Sequence, residues 1–64
     1  MKHIIDEQLG VRLWIIEAPS GDPEDQVYYV DDPTRTPEDW SFWKKYEAQQ
    51  KFLERVSAAK LDSY

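Results

Sequence analysis

Val11-Arg12-Leu13-Trp14-Ile15-Ile16 and the later run Val27-Tyr28-Tyr29-Val30 decide the fold. Both are rich in β-branched and aromatic residues, the composition of strands. Neither alternates apolar with polar, as a strand buried on one side only should. In the first run Val11, Leu13 and Ile15 share one face, and Arg12, Trp14 and Ile16 share the other. In the second, Val27 and Tyr29 stand back to back with Tyr28 and Val30. A sheet of such strands has two apolar faces, and the rest of the chain supplies one helix to cover them. One face is therefore expected to stay open, presenting Trp14, Ile16 and one of the tyrosines, with Tyr28 as the contact residue. Exposed apolar patches with polar rims mark interaction sites, and Trp and Tyr are enriched in binding hot spots.

Working outward, Pro19-Ser20-Gly21-Asp22-Pro23-Glu24-Asp25 reads as the loop between the two strands. His3-Ile4-Ile5 is a candidate third strand that turns at Leu9-Gly10. Asp31-Asp32-Pro33-Thr34-Arg35 is a connector, and Thr36-Pro37-Glu38-Asp39 carries the signature of a helix start. Thr36 is a suitable N-cap, and Pro37 suits the first helical position, where its missing N–H is no loss. Glu38 and Asp39 suit the positive end of the macrodipole. The expected helix spans 36–61, without Gly or Pro from Glu38 onward. At about 100° per residue, Phe42, Tyr46, Leu53 and Val56 form its buried stripe, flanked by Trp43 and Phe52. Lys44, Glu47, Lys51, Glu54 and Arg55 fall on the opposite side. Trp40 lies off that stripe, either covering the 31–35 connector or standing exposed beside Glu38 and Asp39. Asp22-Pro23-Glu24-Asp25 repeats the form of Thr36-Pro37-Glu38-Asp39, an echo read as coincidence rather than duplication, with a single helical turn inside the loop as the alternative.

These elements predict an α+β fold: a small antiparallel sheet of two or three strands packed against one long C-terminal helix. Residues 1–64 form one domain, with a β-rich acidic part at 1–35. The alternative is an extended hairpin and helix that become rigid only in a dimer or complex. A chain this short buries only about 60% of the surface it exposes when unfolded. Its nine aromatic residues are what allow so small a core to close.

Net charge is −5 and unevenly distributed. Residues 1–39 hold ten acids against Lys2, Arg12 and Arg35, a balance of −7, whereas residues 40–64 sum to +2. The sign disfavours direct binding of nucleic acid and favours a basic protein surface as partner. Asp22, Glu24, Asp25, Asp31, Asp32, Glu38 and Asp39 are the acids expected to meet that partner. Their clustering in three places suits a mimic of nucleic-acid phosphates, set against the plainer role of keeping a small protein soluble.

Other classes find little footing. The chain has no cysteine, so neither a disulfide framework nor a thiolate metal site exists. The acids do not follow the EF-hand pattern, and no metal or cofactor is expected. The single histidine, His3, is badly placed for a general base, and so short a chain has little room for a pocket of ordinary ligand size. No secretory signal and no apolar run of membrane-spanning length is visible, so a cytoplasmic location is expected.

The expected function is that of a small acidic, non-enzymatic binding protein, an inhibitor that blocks a larger basic or nucleic-acid-handling protein. In size, acidity and lack of catalytic groups the chain resembles the small inhibitors that phages make against host or defence systems. That resemblance is one of type and rests on no motif. The alternatives are a homo-oligomeric accessory subunit, with the two-sided sheet as a homodimer surface, and an antitoxin-like partner.

Overall fold

The structure, a computed structural model, describes residues 1–22 and 25–62. Val11–Ile16 is a strand, and the hairpins on either side of it build an antiparallel meander. Strands β1 (Lys2–Gln8), β2 (Val11–Ile16), β3 (Val27–Asp31) and β4 (Asp39–Phe42) lie in that order in one sheet, followed by helix α1 (Lys45–Asp62). The architecture is α+β, with four strands where two or three were expected. The β1–β2 turn is Leu9-Gly10, both residues in the left-handed region at φ 54° and 85°. That pair of positive φ values is the type I′ geometry, whose twist matches that of the flanking strands.

The fourth strand is a correction. Residues 39–42 were expected in the first turn of a helix starting at Thr36, but they pair antiparallel with β3, Tyr28 opposite Phe42 and Asp31 opposite Asp39. The helix begins at Lys45 instead, its first bond running from the Ala48 N–H to the Lys44 carbonyl at 3.3 Å. Asp-Trp-Ser-Phe alternates polar and apolar with a period of two, and its rings pack on the core. Burial of Trp40 and Phe42 beside β3 outweighs the local preference of the Thr-Pro-Glu-Asp tetrad. Thr36 does accept a backbone N–H, that of Glu38 at 3.2 Å, but within the 32–38 turn rather than at a helix end.

The helix lies across β2, β3 and β4 and leaves β1 uncovered. Val11, Leu13 and Val30 from the sheet meet Ala48, Phe52, Val56 and Ala59 from the helix, with Tyr28, Trp40 and Phe42 packed around them. This buried stripe is rotated from the expected one. Val56 belongs to it and Phe52 moves from flank to centre, but Leu53 is 59% exposed, and Tyr46 and Trp43 also face solvent. Phe42 is not helical at all. The cause is volume: the sheet contributes three large rings, so the helix approaches through two alanines. Lys51 and Arg55, expected on the far side, lie half-buried over the Trp40 ring at 4.5 and 5.4 Å. No helix among the described residues is long and apolar enough to cross a membrane.

Candidate binding surface

The strand register sorts every sheet residue onto one of two faces. On the face turned from the helix, three rows cross the sheet. Ile4, Trp14, Tyr29 and Ser41 form the middle row. Lys2, Ile16 and Val27 form one flanking row, and Glu7, Arg12, Asp31 and Asp39 the other. No described element lies over them. Ile4 and Ile16 are exposed, while Trp14, Val27 and Tyr29 are half-buried by their neighbours alone.

Trp14 is held rigidly. The Lys2 ammonium sits 4.3 Å from its ring centroid and the Arg12 guanidinium 5.3 Å. Its indole N–H donates to Asp31 Oδ1 at 3.2 Å. Arg12 grips the same carboxylate with two donors, Nε to Oδ1 at 2.9 Å and Nη2 to Oδ2. This bidentate bond holds the Arg12 guanidinium above its usual pKa. Beside it, the Tyr29 hydroxyl donates to Asp39 Oδ2 at 2.7 Å, and Lys2 also reaches over the Tyr29 ring at 5.3 Å. That hydrogen bond, with burial and the Asp39 charge behind it, pushes the phenol up to about 12. The middle of the face is thus an aromatic pair with fixed rotamers, bordered by aliphatic side chains and compensated charges.

The expected contact residues divide. Trp14 lies on the open face as expected. Tyr28 does not: it sits on the helix side opposite Ile15 and Phe42, packed against the core. Tyr29 takes its place. Trp40 likewise belongs to the helix side, opposite Val30. Asp31 and Asp32 are corrected from exposed acids to internal ones. Asp31 is 9% exposed and spent on Arg12 and Trp14. Asp32 is fully buried, accepting from Arg35 Nη1 at 2.9 Å and Arg55 Nη2 at 3.0 Å. A carboxylate removed from water needs such partners, and the connector provides them by folding under the end of α1. Asp22, Asp25, Glu38 and Asp39 are exposed, although Asp39 is bound to Tyr29. Glu24 lies outside the described residues. Asp25 closes a turn on the Asp22 carbonyl at 3.0 Å.

These four exposed acids form no continuous row. Asp22 and Asp25 precede β3, whereas Glu38 and Asp39 follow the turn at its other end. A five-residue strand separates them, roughly 17 Å at 3.3–3.4 Å per residue. Among the described residues no group of three or more His, Asp or Glu side chains is placed to hold a metal ion.

Sequence reading missed Tyr29, Ile4 and Lys2. The signal that would have found Tyr29 is the Arg12/Asp31 pair. Setting those opposite charges across from each other fixes the β2–β3 register and turns Tyr29, two residues from Asp31, onto the face of Trp14. Comparison of the chain with protein-family models, curated proteins and solved structures finds no match in any of the three.

Proposed function

We propose that the protein acts by binding a larger protein through the open face of its sheet, with Trp14 and Tyr29 as anchors and Ile4, Ile16 and Val27 as the apolar surround. The observation that carries this reading is the uncovered row Ile4–Trp14–Tyr29, locked in place by Lys2, Arg12, Asp31 and Asp39. Rigid aromatic side chains lose little entropy on binding, and their polar atoms are already satisfied here. The acids at the two ends of β3 add a negative field that draws the protein toward a basic surface and speeds the encounter. An inhibitor that occupies such a surface fits both features. The reading rests on the aromatic patch rather than on phosphate mimicry, because Asp31 and Asp32 are bonded to internal arginines and Asp22, Asp25, Glu38 and Asp39 are split between two sites.

The test is capture of the target from lysate with matched baits. Wild type and the Asp22→Asn/Asp25→Asn variant should retain the same protein, the latter with less sensitivity to salt. Ile16→Asp, exposed on the patch, and Tyr29→Ala should lose it while remaining folded by circular dichroism. Retention by both patch variants, with loss by the acid variant, would sink this reading in favour of a purely electrostatic one.

A further inference from the structure

Lys2 is the least secured of the residues around Trp14. Its ammonium lies 4.3 Å from the Trp14 ring centroid and 5.3 Å from that of Tyr29. Among the described residues it forms no ion pair, so the ring faces alone hold it, and the residue is exposed. An exposed cation–π contact of this kind is weak. The rings do not depend on it. The Trp14 indole N–H is bonded to Asp31 and the Tyr29 hydroxyl to Asp39, so withdrawal of Lys2 leaves both in place. What it uncovers is a pair of neighbouring rings, opposite each other across β2 and β3, with a carboxylate at the hydroxyl end of Tyr29.

Arg12 shows which cation such an arrangement favours. Its guanidinium lies 5.3 Å from the Trp14 centroid while its fork takes both oxygens of Asp31. A planar cation that stacks on a ring and grips a carboxylate through its edge is a guanidinium; an ammonium cannot do both in this way. Asp39 offers the second instance, on the Tyr29 side. One of its oxygens accepts from Tyr29, the other takes no donor among the described residues, and the residue is exposed. The surrounding charge has the matching sign, since residues 1–39 sum to −7.

We propose that the Trp14–Tyr29 platform is an arginine-binding site, which Lys2 fills in the unbound protein and an arginine of the basic partner fills in the complex. The proposal rests on the open face being the binding surface and names the chemistry of what docks there. The incoming guanidinium lies on the rings and pairs with Asp39, while Lys2 swings into solvent. Lys2 thereby sets a threshold. A partner that brings an ammonium gains from the rings only what Lys2 already gains, whereas a guanidinium adds the bond to Asp39.

The experiment titrates a blocked peptide of alternating glycine and arginine, with its lysine and glutamate counterparts, into isotope-labelled protein followed by NMR. The Trp14 indole N–H signal is assigned by its disappearance in Trp14→Phe. It should move saturably with the arginine peptide, less readily with the lysine peptide and not with the glutamate peptide. Lys2→Ala, at an exposed position, should bind the arginine peptide about two- to fivefold more tightly, the range of one exposed cation–π contact. Asp39→Asn keeps an acceptor for the Tyr29 hydroxyl but removes the charge, and should bind it about two- to fivefold more weakly. Asp25→Asn removes the same charge at the other end of β3 and should weaken it less. An unmoved Trp14 signal overturns the proposal, as does a lysine peptide bound as tightly as the arginine one or a Lys2→Ala variant no tighter than wild type. These failures are distinct from failure of the binding face, which capture of the target reads. A target still lost by Ile16→Asp, together with an unmoved Trp14 signal, removes the arginine and leaves the face.

Discussion

Arg55, in the third turn of the helix, donates from Nη2 to the fully buried carboxylate of Asp32 at 3.0 Å, across 23 residues of sequence. Arg35 holds the other oxygen at 2.9 Å, and the Asp32 carbonyl accepts from the Arg35 and Thr36 amides. One side chain thus fixes the 32–36 turn, the path into β4 and the seat of the helix. Asp32→Ala should lower stability by about 3–5 kcal/mol, the usual effect of breaking a buried ion pair. That approaches the whole stability of a domain this small. Asp25→Asn, at an exposed carboxylate, should change it by less than about 0.5 kcal/mol. Urea melts of the two variants check the contrast.

The rotated helix stripe makes a second contrast. Phe52 is 2% exposed at the centre of the core, and Phe52→Ala should cost about 3–5 kcal/mol. Its neighbour Leu53 rims a groove beside β1. Leu53→Ala should leave the unfolding free energy within about 1 kcal/mol of wild type. Similar losses for both would place the stripe where the sequence alone put it.

How far the sequence is legible follows from these residues. The β2 and β3 runs, the Leu9-Gly10 turn and a C-terminal helix all announce themselves through composition. The helix start does not, because Thr36-Pro37-Glu38-Asp39 satisfies the local rules for a cap while tertiary burial of Trp40 and Phe42 makes a strand there. That error propagated: counting the stripe from a helix that includes Phe42 selected Leu53 in place of Phe52 as its centre. On the surface, Trp14 was legible from the two-sided character of β2. The choice between Tyr28 and Tyr29 was not, because both faces of β3 are apolar and only cross-strand register separates them. Asp31 and Asp32 read as solvated acids since their partners, Arg12 and Arg55, lie 19 and 23 residues away.

Leu9 is the one described residue other than glycine with positive φ, at 54°. A left-handed conformation costs an ordinary residue roughly 1–2 kcal/mol, and Asn tolerates it far better. Leu9 is 49% exposed, and its backbone carbonyl, which accepts from Arg35 at 2.8 Å, is retained on substitution. Leu9→Asn should therefore stabilise the protein by about 1 kcal/mol. Gly10→Ala should do the reverse, because its φ is +85° and an added Cβ would meet Thr34 Oγ1 at 3.1 Å. Thermal melts that move in opposite directions are the expected result.

The Tyr29–Asp39 bond carries a pH signature. The phenol is raised from 10.0 to about 12, chiefly because its hydroxyl donates to the Asp39 carboxylate. Below pH 10 the phenol is protonated in both folded and unfolded chains, and the bond contributes fully. Between 10 and about 12 the unfolded chain loses this proton while the folded chain keeps it. The unfolded state then binds fewer protons, so stability falls as pH rises through that window. Above about 12 the folded phenol ionises as well, against the charge of Asp39, and the contribution is gone. Other groups titrate in the same range, so the quantity to measure is the stability difference between wild type and Tyr29→Phe. It should be constant below pH 10 and shrink toward zero by about pH 12. Phenolate absorbance gives an independent reading, since wild type minus Tyr29→Phe isolates one tyrosine, which should ionise well above the ordinary value. A difference curve centred near 10 would mean that Tyr29 is not bound to Asp39 in solution, and the open face would lose one of its two fixed anchors.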